Sequence, residues 1–254
     1  MKKFLEDAAV VANAPVTDTI WRLVCKAPQT AASALPGQFV NVLATGRRAF
    51  LRRPFGIAAA DAGTGEITVM YRLVGRGTAD MAALRPGQDR ISVEGPLGGG
   101  TFSTKPGRVL LVGGGIGLAP LIFLAYKLDN PVVLIAGRTA SETFWDEFFT
   151  AAAEKIYITT DDGSAGIRGF AAAAVPRILK ENRIDRIAVC GPTAMMRTVA
   201  AAAAAAGIPC EVSMEKRMAC GIGACLGCTF ESRADGKRYK VCADGPVFDS
   251  REVF

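Results

Sequence analysis

No histidine occurs among the 254 residues of the chain. Ser-His-Asp triads, histidine-ligated zinc and imidazole general bases are therefore all excluded. Any chemistry must use carboxylates, thiols or a bound cofactor. A long apolar run is also missing, because charge, proline or glycine interrupts every hydrophobic stretch before it could span a bilayer. Behind the basic start Met1-Lys2-Lys3 stands Phe4-Leu5-Glu6-Asp7, where a signal peptide would continue with an apolar core. A soluble, cytoplasmic protein without membrane attachment is the expectation. Charge of one sign is not gathered into a block either. The net charge of +6 is dispersed, and the pairs Arg47-Arg48 and Arg52-Arg53 fall short of a nucleic-acid-binding arm. No nucleic-acid partner is expected, and phosphates of a small ligand suit these arginines better.

Half of the residues are apolar, so the composition is globular, and the length suffices for two compact domains. Seven cysteines are present. Cys25, Cys190 and Cys210 are isolated in apolar surroundings, where a thiol is usually a small buried hydrophobe. The other four form the pattern Cys220-x4-Cys225-x2-Cys228-x13-Cys242, the spacing of plant-type [2Fe-2S] ligation. Glycines 221, 223 and 227 fit a loop that wraps a cluster, since left-handed backbone is cheap for glycine. Such wrapping turns successive amide N–H groups toward sulfur. Zinc knuckles favour paired C-x2-4-C units, which leaves the lone fourth cysteine unexplained, and disulfides conflict with an intracellular setting. Iron–sulfur ligation is the expected reading.

From Gly107 onward strands and helices alternate. Arg108–Val112 reads as a buried strand leading into the turn Gly113-Gly114-Gly115-Ile116-Gly117 and a helix over 118–128. Strands at 132–136, 156–160 and 186–190 and helices at 142–150, 170–180 and 193–206 follow. The expected architecture is a doubly wound parallel α/β sheet. The glycine turn lets a pyrophosphate approach the backbone, and Cys190-Gly191-Pro192 ends a later strand where such sheets bind ligands. Gly113, Gly114, Gly115, Gly117, Cys190, Gly191 and Pro192 are thus the NAD(H)-binding candidates. No acidic residue for an adenine ribose is obvious. Arg138, after the second strand, could favour a 2′-phosphate, so NADH versus NADPH stays open.

Residues 8–95 carry short β-rich runs at 19–25, 38–43, 66–73 and 90–93 with turn residues between them, and one short helix over 77–84. An antiparallel β-barrel is expected. Arg53-Pro54-Phe55-Gly56-Ile57 couples an arginine for pyrophosphate with a rigid proline and an aromatic. Gly75-Arg76-Gly77-Thr78 opens the helix with free amides. Phe55 is equally suited to a core position and Arg53 to the surface. The expected division is an all-β barrel over 1–102, an α/β nucleotide domain over 103–213 and a cluster segment over 214–254.

This order of parts resembles the ferredoxin reductase superfamily, and most closely the electron-transfer subunits of type B dihydroorotate dehydrogenase. Leu51-Arg52-Arg53-Pro54-Phe55, Val112–Pro120, Cys190-Gly191-Pro192, Met214–Cys225 and Val241–Phe248 carry the resemblance. It implies FAD contacts from Arg53, Pro54, Phe55 and Gly56, from Met70, Tyr71 and Arg72, and from Gly77 and Thr78. It also implies cluster ligation by Cys220, Cys225, Cys228 and Cys242. Electrons would pass between NAD(H), FAD, the [2Fe-2S] cluster and the FMN of a separate catalytic subunit that oxidises dihydroorotate in pyrimidine biosynthesis. The implied assembly is a heterotetramer of two chains of each kind. The family often has serine or threonine where Gly56 stands, so one side-chain hydrogen bond to the flavin would be missing here. The small subunit of electron-bifurcating NADH-dependent ferredoxin:NADP oxidoreductase is similar in layout, but an aspartate there replaces one cluster cysteine. A stand-alone NAD(P)H:acceptor reductase would share these motifs. A zinc-stabilised binding module on a degenerate nucleotide fold is the non-enzymatic alternative.

Overall fold

The computed structural model describes residues 2–44 and 51–254; Arg47 and Arg48 lie outside them. The chain divides into two compact units. One comprises Met1–Thr101, Glu215–Phe230 and Tyr239–Pro246, the other Phe102–Met214, Glu231–Arg238 and Val247–Phe254. The cluster segment expected over 214–254 is thus shared between them. Among the described residues no helix is long and apolar enough to cross a membrane.

The first unit contains β1 (Phe4–Pro15), β2 (Ile20–Lys26), α1 (Pro28–Ser33), β3 (Phe39–Ala44), β4 (Arg53–Asp61), β5 (Glu66–Arg72), α2 (Arg76–Ala82) and β6 (Arg90–Leu97). Six strands close into an antiparallel barrel in the order β1-β2-β5-β4-β3-β6. Val10, Leu23, Val40, Ile57, Ile67, Val69, Ile91 and Val93 are buried there; the first part of β6 alternates with period two, whereas β3 is buried on both faces. Two of these strands were not expected. β1 is rich in alanine, a weak strand former, yet it pairs with both β2 and β6 and completes the closure. β4 contains Pro54 and Gly56, which weaken a strand reading. Its pairing on β3 sets Asn41 opposite Pro54 and Val40 opposite Phe55.

The short helix α1 also went unforeseen. Its first turn is satisfied from a distance by Glu6 of β1, which is only 8% exposed. Glu6 accepts from the backbone N–H of Gln29 at 3.0 Å and of Thr30 at 2.9 Å, and from the Thr30 hydroxyl at 2.6 Å. A carboxylate at a helix N-terminus answers donors that would otherwise be orphaned.

The second unit holds β7 (Val109–Gly114), α3 (Leu118–Ala125), β8 (Val132–Gly137), β9 (Lys155–Thr160), β10 (Ile167–Arg168), α4 (Ala171–Glu181), β11 (Arg186–Cys190), α5 (Thr193–Ala205) and β12 (Cys210–Ser213). The two-stranded sheet of β13 (Thr229–Glu231) and β14 (Arg238–Lys240) comes next in the chain, and β15 (Val247–Asp249) and α6 (Ser250–Val253) end it. The large sheet runs β10-β9-β8-β7-β11-β12-β15 and is parallel except for β15. β7 and β8 are near-continuous buried apolar runs, as expected for strands covered on both faces. α5 ends as its sequence suggests: Gly207 takes φ +68°, and Gly207 and Ile208 donate to the carbonyls of Ala204 and Ala203, a Schellman closure.

One expected element is replaced. The α-helix read over 142–150 is instead a pair of 3-10 turns, Ala140–Glu142 and Phe144–Phe148. Aromatic and β-branched residues make this a poor α-helix. Burial of Trp145 and Phe149 and the stacking of Phe144 on Trp145 at 4.8 Å favour the tighter turns.

Glu6→Ala is expected to lower barrel stability by about 2 kcal/mol, because buried donors lose their acceptor. The chain has two tryptophans, Trp21 in the first unit and Trp145 in the second. In a Trp145→Phe background, Trp21 fluorescence during denaturant unfolding reads the barrel, and an unmoved transition would contradict the capping role.

Candidate functional site

Three groups of residues singled out in the sequence each come together within their own unit. In the barrel, the start of β4, the end of β5 and the first turn of α2 meet. Phe55 and Tyr71 are ring neighbours at 5.9 Å. The Arg53 guanidinium lies against Gly77 so closely that a Cβ at 77 would overlap it, while Arg53 also donates to the Leu51 carbonyl. Thr78 accepts from the N–H of Val74 at 3.0 Å and of Gly75 at 3.2 Å, and donates to the Gly75 carbonyl at 2.9 Å. Its hydroxyl is thereby used to fold the turn.

The remaining flavin candidates differ in access. Arg53, Pro54, Phe55 and Gly56 are half-buried, Met70 is buried and Arg72 is exposed. The Tyr71 side chain is fully buried. Its hydroxyl donates to Asn13 Oδ1 at 2.9 Å, and burial pushes its pKa up. Asn13 Nδ2 in turn donates to the carbonyls of Met81 at 2.8 Å and Leu84 at 3.1 Å. Through Asn13 the buried Tyr71 hydroxyl is thus linked to the end of α2. The Arg53–Gly77 cradle suits the pyrophosphate of a dinucleotide, since it pairs a guanidinium with buried glycine backbone.

In the second unit the chain runs from β7 outward through β8 and β9 to β10, then returns to β11 on the other side of β7. That reversal is a topological switch point. Cys190 lies opposite Gly113 in register, so the two expected segments end side by side. Gly113 and Gly114 finish β7, and Gly115 and Gly117 form the 3-10 turn that leads into α3. A Cβ on Gly117 would stand 2.6 Å from Gly191 Cα and 2.7 Å from the Cys190 carbonyl. One on Gly191, where φ is +148°, would stand 2.8 Å from Met195 Cε and 3.0 Å from the Gly114 carbonyl. Glycine is needed at both positions for close packing of two backbones, which sets the start of α3 at the strand ends. Cys190 is buried, Gly191 half-buried and Pro192 exposed.

At the C-terminal end of β8, Arg138 is already engaged. It pairs with Glu142, Nε to Oε1 at 2.9 Å, while its backbone N–H donates to Glu142 Oε2 at 2.9 Å. Glu142 is thus one acidic group near this strand end, beside Asp161 and Asp162, whose backbone N–H groups donate to the carbonyls of Gly137 and Arg138. The expected helix over 142–150 hid Glu142, because it placed that residue inside a helix instead of in the turn after the strand.

None of the seven cysteines is in a disulfide. Cys25 and Cys210 are buried, and burial pushes each thiol up to about 12, as suits inert core positions. The four-cysteine loop behaves otherwise. Its thiols fall in two pairs, Cys220 with Cys225 and Cys228 with Cys242. The backbone N–H of Cys225 reaches Cys220 Sγ at 3.4 Å, and that of Cys242 reaches Cys228 Sγ at 3.4 Å. Burial pushes the Cys220 thiol up, but the amides of Cys225, Ile222 and Ala224 and the Cys225 thiol outweigh it and bring it down to about 6. For Cys242, burial and the neighbouring Cys228 prevail and push it up to about 12. Among the described residues no three His, Cys, Asp or Glu side chains gather around one point for a single ion. Two pairs of thiols with amides aimed at sulfur fit a two-iron cluster, which takes two thiolates on each iron.

The loop's backbone corrects one expectation. Gly221 and Gly223 take φ of +69° and +91°, but the third left-handed residue is Leu226, at +59°, and not Gly227. Gly227 is held to glycine by neither constraint: its φ is not left-handed, and a Cβ there would stand 3.5 Å from Cys225 Sγ, an ordinary van der Waals contact. The segment carrying Cys242 is tied to the end of β6, where Gly99 and Gly100 donate to the carbonyls of Ala243 and Gly245, both at 2.9 Å. The Cys220 carbonyl accepts from Asn41 of β3, a residue with no signal in the sequence.

Such a chain is an iron–sulfur member of the ferredoxin reductase fold class. Residues 215–254 match the family model described as the iron–sulfur cluster binding domain of dihydroorotate dehydrogenase B. The chain is 35% identical to the dihydroorotate dehydrogenase B (NAD(+)) electron transfer subunit of Fusobacterium nucleatum subsp. nucleatum and 38% identical to that of Geobacillus thermodenitrificans, in each case over 98% of both chains. It belongs to the family of dihydroorotate dehydrogenase B electron transfer subunits. Among solved structures, one from a study of flavin-based electron bifurcation by NADH-dependent reduced ferredoxin-NADP oxidoreductase is 29% identical. It superposes with a TM-score of 0.87 over 98% of this chain and 90% of that one. The ferredoxin reductase of carbazole 1,9a-dioxygenase, 22% identical with a TM-score of 0.69 over 82% and 68%, shares the fold.

Gly77→Ala is expected to displace the Arg53 guanidinium and reduce the FAD-to-protein ratio of purified protein at least threefold, with the iron content retained. Undiminished FAD would show that the Arg53–Gly77 cradle does not hold the cofactor.

Proposed function

We propose that this chain transfers electrons between NAD(H) and the FMN of a dihydroorotate dehydrogenase catalytic subunit, through its own FAD and [2Fe-2S] cluster, in pyrimidine biosynthesis. The observation that carries this reading is the pairing of four thiols with inward-facing amides in a chain that also holds a glycine turn at a topological switch point. On this reading Arg53, Pro54, Phe55 and Gly56, the backbone at Met70–Arg72, and Gly77 with Thr78 bind FAD. Gly113, Gly114, Gly115 and Gly117 with Cys190, Gly191 and Pro192 hold the dinucleotide. Cys220, Cys225, Cys228 and Cys242 ligate the cluster. Bound FAD supplies the conversion of a two-electron hydride into single electrons that an iron–sulfur cluster can carry.

The residues of the chain orient, shield and tune. Hydride transfer needs no protein acid or base, which accords with the lack of histidine. Half-burial of residues 53–56 limits water near their ligand, and the exposed Cys225 leaves one edge of the cluster loop open toward a partner. Two copies of the chain with two catalytic subunits, in the cytoplasm, complete the proposal.

The test is a visible spectrum of anaerobically purified protein with FAD and iron assays, before and after adding NADH. Flavin bands with broad iron–sulfur absorbance, about two irons per chain and bleaching by NADH are expected. Colourless protein that binds zinc would overturn the reading. Pairing of Arg138 with Glu142 supports NADH as the substrate, because a guanidinium whose charge is already partnered by a carboxylate attracts a 2′-phosphate less. Glu142→Gln should free Arg138 and narrow the NADH-over-NADPH ratio of kcat/KM by about tenfold. An unchanged ratio would show that Arg138 does not reach the ribose.

A further inference from the structure

Asn41 is 1% exposed in β3, where an unpaired amide would be costly. Its Nδ2 donates to the Cys220 carbonyl at 3.2 Å and to Glu94 Oε2 at 3.4 Å. Both partners are acceptors, so the nitrogen end of the amide must face them. Gly221 packs onto the same amide, and a Cβ there would stand 2.9 Å from Asn41 Cγ. Arg52 backs the arrangement. It donates to the carbonyls of Asn41 at 3.4 Å and Ser92 at 3.3 Å and to Ser92 Oγ at 2.9 Å, and its Nε stands 3.9 Å from Glu94. Arg52 and Arg53 are adjacent in sequence, yet they meet different partners: Arg53 the turn at Gly77, Arg52 the polar group behind the cysteine loop. Asn41 is also the β3 residue paired with Pro54 of the candidate flavin strand. One residue therefore touches the loop with its side chain and the flavin strand with its backbone.

We propose that Asn41 is the positioning residue for the cluster loop. Its amide holds the Cys220 carbonyl and thereby the row of amides that face the Cys220 sulfur, while Arg52 and Glu94 keep it oriented. This rests on the assignment of the four cysteines as cluster ligands. Hydrogen bonds to cluster sulfurs raise the reduction potential, because reduction adds negative charge that donors stabilise. Releasing the carbonyl loosens those donors, so the cluster becomes harder to reduce. A residue that merely filled the barrel wall would alter stability and leave the potential alone.

The test compares wild type with Asn41→Leu, which keeps the volume and removes the donor, and Asn41→Ser, which stays polar but is too short to reach Cys220. Full-length protein, co-expressed with its catalytic subunit, is assayed for iron and FAD. The cluster is then followed by electron paramagnetic resonance during a redox titration. Both variants should retain FAD, show altered cluster g-values and have the reduction equilibrium weakened about tenfold, or about 59 mV for a one-electron couple. If Asn41→Leu fails to fold, Asn41→Ser decides the matter alone. Wild-type g-values and potential in a folded variant would overturn the role of Asn41. A wild-type protein without a two-iron signal would instead overturn the cluster assignment on which it rests.

Discussion

Aiming backbone N–H groups at sulfur constrains the iron–sulfur loop more tightly than any other requirement, and much else follows from it. A run of residues can present its amides to one point only if several of them adopt left-handed backbone, as Gly221, Gly223 and Leu226 do. A chain bent in this way makes few regular hydrogen bonds of its own, so it must be held from outside. The barrel supplies that support through Asn41 at the Cys220 end and through Gly99 and Gly100 at the Cys242 end. The arginine cradle begins on β4, the strand paired with β3, so the loop support and the cradle lie on neighbouring strands of one barrel. Local strain at the loop is thus offset by regular pairing in β3 and β6.

The second unit meets a different need with a similar device. Its glycines bring backbone against backbone: Gly117 against Gly191, and Gly191 against Gly114. That contact sets α3 at the ends of two neighbouring strands, where a parallel sheet opens its ligand-binding crevice. Met195 of α5 closes on Gly114 and Gly191. In both units glycine serves close approach as well as conformational freedom, and Gly221 combines the two at one position, with φ +69° and no room for a Cβ against Asn41.

How much of this was legible in the sequence depended on whether the signal was local. The cysteine spacing, the glycine turn and the alternation of strand and helix after residue 107 are local, and the elements appear within a few residues of their expected bounds. β1 was not legible, because its alanines argue against a strand and only closure against β2 and β6 makes it one. The turns at 140–148 were misread as a helix because the burial of Trp145 and Phe149 is a tertiary decision. Glu142 was obscured by the same error. Asn41, Arg52 and Glu94 lie far apart in the chain, and no pattern marks a polar residue that will meet a cysteine carbonyl 179 positions away. At Tyr71 the resemblance marked a cofactor contact but carried no sign of the hydrogen bond from its hydroxyl to Asn13, 58 positions away.

The chain's threading has a consequence for how such a protein can be changed. After Met214 the polypeptide alternates between the two units, and over its whole length it passes from one to the other five times. Neither unit is a contiguous stretch that could be excised, transplanted or duplicated by a single cut. A gene fusion that appended the last forty residues to a foreign reductase would deliver the four thiols without Asn41, Gly99 and Gly100, the residues that grip them. The iron–sulfur segment is thus gripped by residues outside it, and moving it intact means moving the barrel with it.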